Sequence, residues 1–278
     1  MLNLPPQFAD RFERARTGVA YRVHGSGEPL VLFHGGAGSW NHWARNIGPL
    51  AAHFTVIVID SPSYGDSETV ARDVSDDAYL RLVVDTVTEA CAGHPRFHLS
   101  GFSFGGLIAA ASAAQFAERV SSLSLIGTAG FPAPRTGTLG LESKKKLRTE
   151  LGREPLVCEL RAMHRRNLAK LMIWDTTKID EQAVGMQMQN VERTRFDSRR
   201  LSWSGRLPEF LEHVRCPVKI IYGEHDISAY PSLEERKRQC REIRPDAELT
   251  VIANCGHWAM YEAPEAINRL LSEFHGGV

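Results

Sequence analysis

The feature of this chain that most constrains its fold is the run of residues 99–106, which contains the pattern G-x-S-x-G. A strand-like apolar segment precedes the pattern, and small residues compatible with a helix follow it. Ser103 would therefore stand on a tight strand-to-helix turn that exposes its hydroxyl at the edge of a sheet. Gly101 and Gly105 fit this context, because the strand and helix backbones must pass close together there. The pattern predicts a nucleophilic serine.

A serine is a weak nucleophile unless a base takes its proton and a third group orients that base. Asp226 follows the apolar run 218–222, and His257 follows the run 248–252. The order serine, acid, histidine is the one found in hydrolases whose serine lies on a strand-to-helix turn. We therefore predict a triad of Ser103, Asp226 and His257, with Glu224 and His225 as the alternative acid and base.

A glycine-rich loop after the predicted strand 29–33 is a candidate oxyanion hole. Residues 34–38 read His-Gly-Gly-Ala-Gly, and glycines let a backbone approach a substrate closely. Backbone N–H groups from this loop and from the residue after the nucleophile can stabilise a developing oxyanion, so we assign Gly36 and Phe104. A phosphate-binding loop is disfavoured because the G-x-G-x-x-G pattern and the Walker lysine are missing.

Composition narrows the class of protein. The 278 residues carry 33 basic and 33 acidic side chains, so nothing favours nucleic acid or an anionic membrane as partner. No apolar stretch approaches the roughly 20 residues of a membrane span, and the histidines lack metal-ligand spacing. Five widely spaced cysteines argue against a disulfide framework and for a reducing compartment. We expect a cytoplasmic enzyme with no cofactor or metal.

Strand-like and helical segments alternate along most of the chain, which predicts a parallel α/β sheet. The predicted strands are 19–23, 30–33, 56–59, 97–99, 122–126, 218–222 and 249–252, and the main predicted helices are 76–91, 107–116, 233–243 and 264–274. Residues 133–212 are charged and helical in period, without a convincing strand. We predict that residues 1–132 and 213–278 form the core and that residues 133–212 form a helical cap over the catalytic edge.

These motifs together resemble those of the α/β-hydrolase superfamily over nearly the whole chain. The segment 60–67 resembles the D-x-P-G-x-G-x-S turn of that superfamily, with Ser63 in place of its glycine. The resemblance implies the α/β-hydrolase fold, in which helices flank a mostly parallel central sheet and a helical cap is inserted.

Within the superfamily the chain looks most like the meta-cleavage-product hydrolases. The segments 38–49, 60–62, 171–175 and 255–262 carry this resemblance, and Trp258 matches the pocket tryptophan of those enzymes. They cleave a carbon–carbon bond in vinylogous 1,5-diketone acids made during aromatic catabolism.

Three positions depart from that pattern. Phe102 and His42 stand where those enzymes have asparagines, and Gln187 stands where they have a cap arginine that binds the dienoate carboxylate. An amide cannot supply charge-assisted bidentate binding, and Arg193 or Arg195 is a candidate replacement.

The sequence therefore favours a serine hydrolase that forms an acyl-enzyme on a small apolar or aromatic ester. The alternatives are a carbon–carbon hydrolase of the 2-hydroxy-6-oxo-dienoate type and a non-hydrolytic ligand-binding member of the fold. We expect a small-molecule substrate, leave open a homodimer or higher homo-oligomer, and assign to the pocket Gly35, Trp40, His42, Phe102, Trp174, Gln187 and Trp258.

Overall fold

The computed structural model describes residues 11–132 and 140–276. Its centre is an eight-stranded sheet in the order β1-β2-β4-β3-β5-β6-β7-β8. β2 pairs antiparallel with both β1 and β4, and the remaining neighbours are parallel. The strands are β1 Arg11–Arg14, β2 Ala20–His24, β3 Pro29–Phe33, β4 Thr55–Ile59, β5 Phe97–Phe102, β6 Val120–Ile126, β7 Val218–Gly223 and β8 Glu248–Ile252.

Both faces of the central strands β3, β5 and β7 are buried, as parallel sheets require. Along β3, Leu30 and Leu32 enter one apolar cluster, whereas Val31 and Phe33 enter the other. This alternation follows from the two-residue period of a strand. A run that is apolar at every position therefore indicates a central strand, and the sequence analysis located these strands from such runs.

Helices cover the two faces. One apolar cluster takes in residues of α2, α3, α8 and α9, and the other takes in residues of α1, α5, α6 and α11. The helices are α1 Ile47–Ala51, α2 Asp76–Ala90, α3 Phe104–Gln115, α4 Lys144–Leu151, α5 Val157–Leu171, α6 Glu181–Glu192, α7 Arg199–Ser202, α8 Leu207–His213, α9 Leu233–Ile243, α10 Ala259–Glu262 and α11 Pro264–Gly276, with 3₁₀ turns at Trp40–Trp43 and Thr176–Lys178.

Between β6 and β7 the described chain is helical, from α4 to α8. α5 packs against α6, whereas α8 packs against α3 of the core. The division into a core and a cap at residues 133 and 212 stays a prediction, and residues 133–139 lie outside the described part.

Two details differ from the sequence expectations. β1 was missed because all four of its side chains are exposed, which leaves no apolar alternation to detect. β5 continues to Phe102, and α3 begins at Phe104, so a single residue joins them. Of the residues described, no helix is both long and apolar enough to cross a membrane, and all five cysteines are free.

Candidate active site

Ser103 is the single residue between β5 and α3, and its backbone has φ 53° and ψ −116°. Such a conformation is rare for a residue with a side chain and marks stored strain. The turn needs close packing: a Cβ added to Gly101 would stand 2.2 Å from the Gly105 carbonyl oxygen. The glycines are therefore required by backbone contact, and the turn presents the serine hydroxyl at the sheet edge.

The structure brings the three predicted triad residues together. Ser103 Oγ lies 3.0 Å from His257 Nε2, and His257 Nδ1 lies 2.9 Å from Asp226 Oδ2. Burial opposes ionisation of Asp226, but the adjacent His257 and hydrogen bonds from His257 and Ser228 keep its pKa below the usual value. The ionised carboxylate accepts a hydrogen bond from the Nδ1–H group, which leaves the unprotonated Nε2 to take the proton of the Ser103 hydroxyl.

The alternative acid and base point elsewhere. Glu224 Oε2 accepts the N–H of Asn254 at 2.9 Å, which ties the loop after β7 to the loop after β8. The His225 ring stacks on Trp174 with centroids 3.8 Å apart. Neither geometry reaches Ser103, so Asp226 and His257 remain the candidates.

Two residues that the sequence analysis did not single out hold the acid–base pair in place. A Cβ added to Gly127, which has φ +51°, would lie 2.8 Å from Asp226 Oδ2 and 2.9 Å from His257 Nδ1. The buried Glu262 carboxylate accepts backbone N–H groups of Gly256, Trp174 and Asp175 at 2.8, 3.1 and 2.7 Å. Glu262 therefore binds the histidine loop to the chain entering the Thr176–Lys178 turn.

A buried histidine orients the peptide that carries the Gly36 N–H. His34 Nε2 accepts the N–H of Ser61 at 2.9 Å, so its Nδ1 holds the proton and donates to the Gly35 carbonyl at 2.7 Å. In a trans peptide the C=O and N–H point in opposite directions, so the Gly36 N–H faces away from His34. Burial lowers the pKa of His34 to about 4, which keeps the ring neutral in this role.

The Gly35–Gly36 loop lies beside the serine turn. A Cβ added to Gly35 would come within 3.2 Å of Ser103 Cβ, and one added to Gly36 within 3.9 Å of Phe104 Cβ. The Phe104 N–H belongs to the first turn of α3, where N–H groups have no partner within the helix. The two predicted oxyanion donors are thus neighbours of the serine.

The turn at residues 60–67 supports the same loop region. The buried Asp60 carboxylate accepts the N–H of Trp40 at 2.7 Å and of Asp66 at 3.0 Å. Burial raises its pKa to about 6 against these hydrogen bonds. Ser63, which replaces the usual glycine, has φ 67°, so the turn keeps the left-handed conformation that glycine favours.

A cavity opens beside Ser103, and a second cavity adjoins it. The first, of about 340 Å³, is lined by Ser103, His257, Phe131, Ser198, Tyr230 and Arg236 among others. The second, of about 520 Å³, lies between α5, α6 and residues 141–144, and its lining includes His164 and Gln187. Both share Gly36, Ala37, Leu141, Leu171 and Met172, so they form two lobes of one cleft.

The seven predicted pocket residues divide between the cleft and its surroundings. Gly35 and Phe102 line the first cavity, and Gln187 lines the second. Within the described ranges, the other four are absent from both linings: Trp40, His42, Trp174 and Trp258.

The structure shows what each of these four residues contacts. Trp174 is 54% exposed and stacks on His225. The Arg22 guanidinium lies over the Trp40 ring at 4.5 Å. Trp258 donates its indole N–H to the His42 carbonyl at 2.9 Å, and His42 accepts the Gly35 N–H at 3.3 Å. The buried pair therefore supports the oxyanion loop from behind.

The proposed arginine replacements are engaged elsewhere. Arg193 Nη1 pairs with Asp66 at 2.6 Å, and Arg195 donates to the Ser67 carbonyl at 2.7 Å. Gln187 Oε1 is buried and, within the described residues, has no hydrogen-bond partner, and the same holds for Nδ1 of His164. Gln187 therefore offers a neutral amide to the second cavity, whose lining also includes the charged residues Glu142, Lys144 and Glu192.

Residues 30–270 match the Alpha/beta hydrolase family, and the chain belongs to this family. It is 29% identical over 272 residues to 2-hydroxy-6-oxo-6-phenylhexa-2,4-dienoate hydrolase of Comamonas testosteroni, covering 92% of this chain and 90% of that protein. It is 30% identical over 286 residues to 2-hydroxy-6-oxononadienedioate/2-hydroxy-6-oxononatrienedioate hydrolase of Paraburkholderia phymatum, covering 93% and 92%. The chain is a hydrolase, and the predicted likeness to meta-cleavage-product hydrolases is confirmed.

Solved structures confirm the predicted fold class. A meta-cleavage product hydrolase from Pseudomonas fluorescens IP01 matches with a TM-score of 0.69 and 24% identity, covering 98% of this chain and 99% of that one. Naproxen esterase from Bacillus subtilis matches with a TM-score of 0.74 and 21% identity, covering 98% and 92%. At these identities the likeness shows the fold alone, because this fold hosts many activities.

Proposed function

We propose that this chain hydrolyses a carbon–carbon bond in a 2-hydroxy-6-oxo-dienoate, with Ser103 as nucleophile. The observation that carries the proposal is the similarity, across nine-tenths of the chain, to hydrolases of such dienoates. The sequence alone put ester hydrolysis first, and the relatives support its alternative better. The contacts among Ser103, His257 and Asp226 supply the chemistry that either reaction needs.

In the proposed reaction, a proton first moves from the 2-hydroxyl group to C5, which turns the dienol into a ketone. Ser103 then attacks the C6 carbonyl while His257 takes its proton, and Asp226 stabilises the imidazolium. The Gly36 and Phe104 N–H groups would hold the oxyanion, and one such donor contributes on the order of 3 kcal/mol. The C5–C6 bond breaks, His257 returns the proton to the leaving fragment, and water hydrolyses the acyl-enzyme to a carboxylic acid.

Ester hydrolysis is the second candidate, and Gln187 is the observation that favours it. An amide at this position does not supply the charge that a guanidinium gives a dienoate carboxylate. An ester needs no such partner, because its carbonyl requires only the serine, the base and the oxyanion donors.

Initial rates on paired substrates separate the two candidates. The substrates are 2-hydroxy-6-oxo-6-phenylhexa-2,4-dienoate, followed by loss of its visible absorbance, and p-nitrophenyl butyrate, with Ser103→Ala as the blank. Dienoate turnover well above ester turnover supports the carbon–carbon hydrolase. Ester turnover with an inert dienoate overturns it and leaves an acyl hydrolase.

A further inference from the structure

We infer that Arg236 forms an anion-binding subsite in the first cavity, which takes a carboxylate group of the substrate. The inference rests on the proposed function, because it assigns a substrate group to the cleft that contains Ser103. The subsite lies in the first cavity, whereas Gln187 lines the second. The family resemblance does not predict a cation in the first cavity.

The charge of Arg236 is buried and, among the residues that the structure describes, forms no ion pair with an acidic side chain. The residue is 4% exposed and lines the first cavity together with Ser103 and His257. Its guanidinium is always charged, and a buried charge is costly unless it is paired. The hydrogen bonds that the structure gives it go to neutral oxygens: Gln239 Oε1 at 3.0 Å and the carbonyls of Ser228 and Tyr230, both at 3.3 Å.

One donor of Arg236 remains unused. Its Nε is buried and, in the described part of the chain, has no hydrogen-bond partner. The guanidinium carbon lies 3.8 Å from the centroid of the Phe131 ring, which also lines the first cavity. The Phe131 ring restricts the plane of the guanidinium, and a carboxylate is the planar anion that matches a guanidinium.

The other charged side chains of this cavity neutralise each other. Asp197 and Arg199 both line it and form an ion pair of 2.5 Å, with 58% and 67% of their side chains exposed. Arg236 is therefore the uncompensated charge among the described lining residues. A substrate carboxylate seated there would supply the missing counter-ion.

The carboxylate could come from either end of the substrate. A phenylhexadienoate, named for the Comamonas relative, has one carboxylate on its dienoate end. A nonadienedioate, named for the Paraburkholderia relative, has a second carboxylate at the far end of its acyl part. Both have the chemistry that a guanidinium binds, and the experiment below distinguishes them.

The first test compares two esters of the same length that differ in one carboxylate: p-nitrophenyl hydrogen glutarate and p-nitrophenyl valerate. In Arg236→Gln we expect kcat/KM for the glutarate ester to fall about 10- to 100-fold relative to the valerate ester, mainly through KM. Arg238→Gln removes the same charge from an exposed position of α9 and should leave the ratio unchanged. Arg236→Lys should recover part of the loss.

Two results would overturn the inference. If Arg236→Gln slows both esters equally, its bonds to the carbonyls of Ser228 and Tyr230 are structural support for the loop of Asp226 and nothing more. If Arg199→Gln, and not Arg236→Gln, lowers the rate on the glutarate ester selectively, the anion binds at the exposed guanidinium instead.

A binding measurement makes the test independent of turnover. Calorimetry with glutarate should show binding to Ser103→Ala and at least tenfold weaker binding to the double variant Ser103→Ala with Arg236→Gln. If this difference appears while neither ester nor dienoate is hydrolysed, the proposed function fails and the anion subsite stands. If substrates are hydrolysed but glutarate binds both proteins equally, the subsite fails and the proposed function stands.

The dienoates then identify the source of the carboxylate. If Arg236→Gln impairs turnover of both the phenylhexadienoate and the nonadienedioate, the dienoate carboxylate occupies the subsite. If it impairs the nonadienedioate alone, the distal carboxylate does. If neither rate changes, the subsite does not serve the substrate and the inference is wrong.

Discussion

The cleft has two walls that differ in how their polar groups are partnered. The strand-end loops form one wall, in which Ser103, His257, Asp226 and the Gly35 peptide bond to one another or to buried neighbours. The helices between β6 and β7 form the other, in which polar atoms of His164 and Gln187 are buried without a partner in the described chain. Buried polar groups are normally satisfied within the protein.

This difference separates chemistry from recognition. The bonded residues Ser103, His257 and Asp226 are preorganised, so they can stabilise a transition state without rearranging. A wall with unpartnered polar atoms gains its missing hydrogen bonds from a ligand, and it therefore selects among substrates. We therefore assign the chemistry to the strand-end wall, and substrate recognition to the helical wall together with Arg236, which lies on α9 beside the first cavity.

The most severe change to the strand-end wall is Ser103→Ala. We expect kcat to fall by about 10⁴-fold or more, since the nucleophile and its base act as a unit. The measurement is turnover of whichever substrate proves active, with fluorophosphonate labelling of the wild type at the peptide that contains Ser103. If the variant turned over substrate at a rate close to that of the wild type, Ser103 would not be the nucleophile. The assignment of the chemistry to the strand-end wall would then be wrong.

Glu262→Ala cuts the connection between the walls. It leaves the buried N–H of Gly256 and the partly buried N–H groups of Trp174 and Asp175 without their acceptor, and a buried unpaired group costs about 1–3 kcal/mol, a partly buried one less. We expect a loss of about 3–5 kcal/mol in the free energy of unfolding, with a fall in kcat as the His257 loop loosens. Urea unfolding checks this, with the exposed Glu265→Ala as control. Equal stability of the two variants would contradict it.

The sequence predicted the residues that directly follow strands far better than the residues that contact or support them from elsewhere in the chain. Four predicted residues follow strands: Ser103, Asp226, His257 and Gly36. The end of a strand can be recognised in the sequence because apolar runs and glycines mark it. Their approach in space follows from the parallel order of the sheet. Arg236 and Glu262 could not be recognised in this way, because only the folded structure shows that each is buried and what it contacts.

Trp174 and Trp258 show the opposite failure: the sequence assigned both to the pocket, but neither is among the described residues that line the two cavities. Trp258 directly follows His257 and matches the pocket tryptophan of the resembling enzymes, and Trp174 is a large aromatic residue of the predicted cap, which favoured a pocket role for both. The structure leaves Trp174 half exposed and buries Trp258 against His42 and Tyr261. The direction in which a loop presents a side chain depends on tertiary contacts that a single sequence does not encode locally.

We expect acidic pH to lower the contribution that His34, in the strand-end wall, makes to the free energy of unfolding. The pKa of His34 is about 4 in the fold, below its usual value of 6.5, so the unfolded chain binds the proton more tightly. Stability therefore falls as the pH drops from 6.5 towards 4, by up to about 3 kcal/mol for this group alone. Burial lowers the pKa of His42 and His275 in the same direction.

Denaturation midpoints between pH 7 and pH 4 measure this effect. His34→Gln can still accept from Ser61 and donate to Gly35 but does not titrate, so its midpoint should depend less on pH. The exposed His53→Gln should retain the full dependence. Because the raised pKa of Asp60 acts in the opposite direction over the same range, the comparison between variants is decisive: the same pH dependence in the wild type and in His34→Gln would contradict the prediction.

The smallest change tests the helical wall: Gln187→Arg. A guanidinium there could bind the dienoate carboxylate bidentately, so we expect kcat/KM for the phenylhexadienoate to rise about tenfold, equivalent to about 1.4 kcal/mol, with little change for p-nitrophenyl butyrate. Gln189→Arg adds the same charge to an exposed position of α6 and should change neither rate. If both variants raise dienoate turnover equally, general attraction explains the gain and Gln187 does not face the carboxylate. A gain confined to Gln187→Arg would show that recognition on the helical wall can change while the strand-end wall keeps its chemistry.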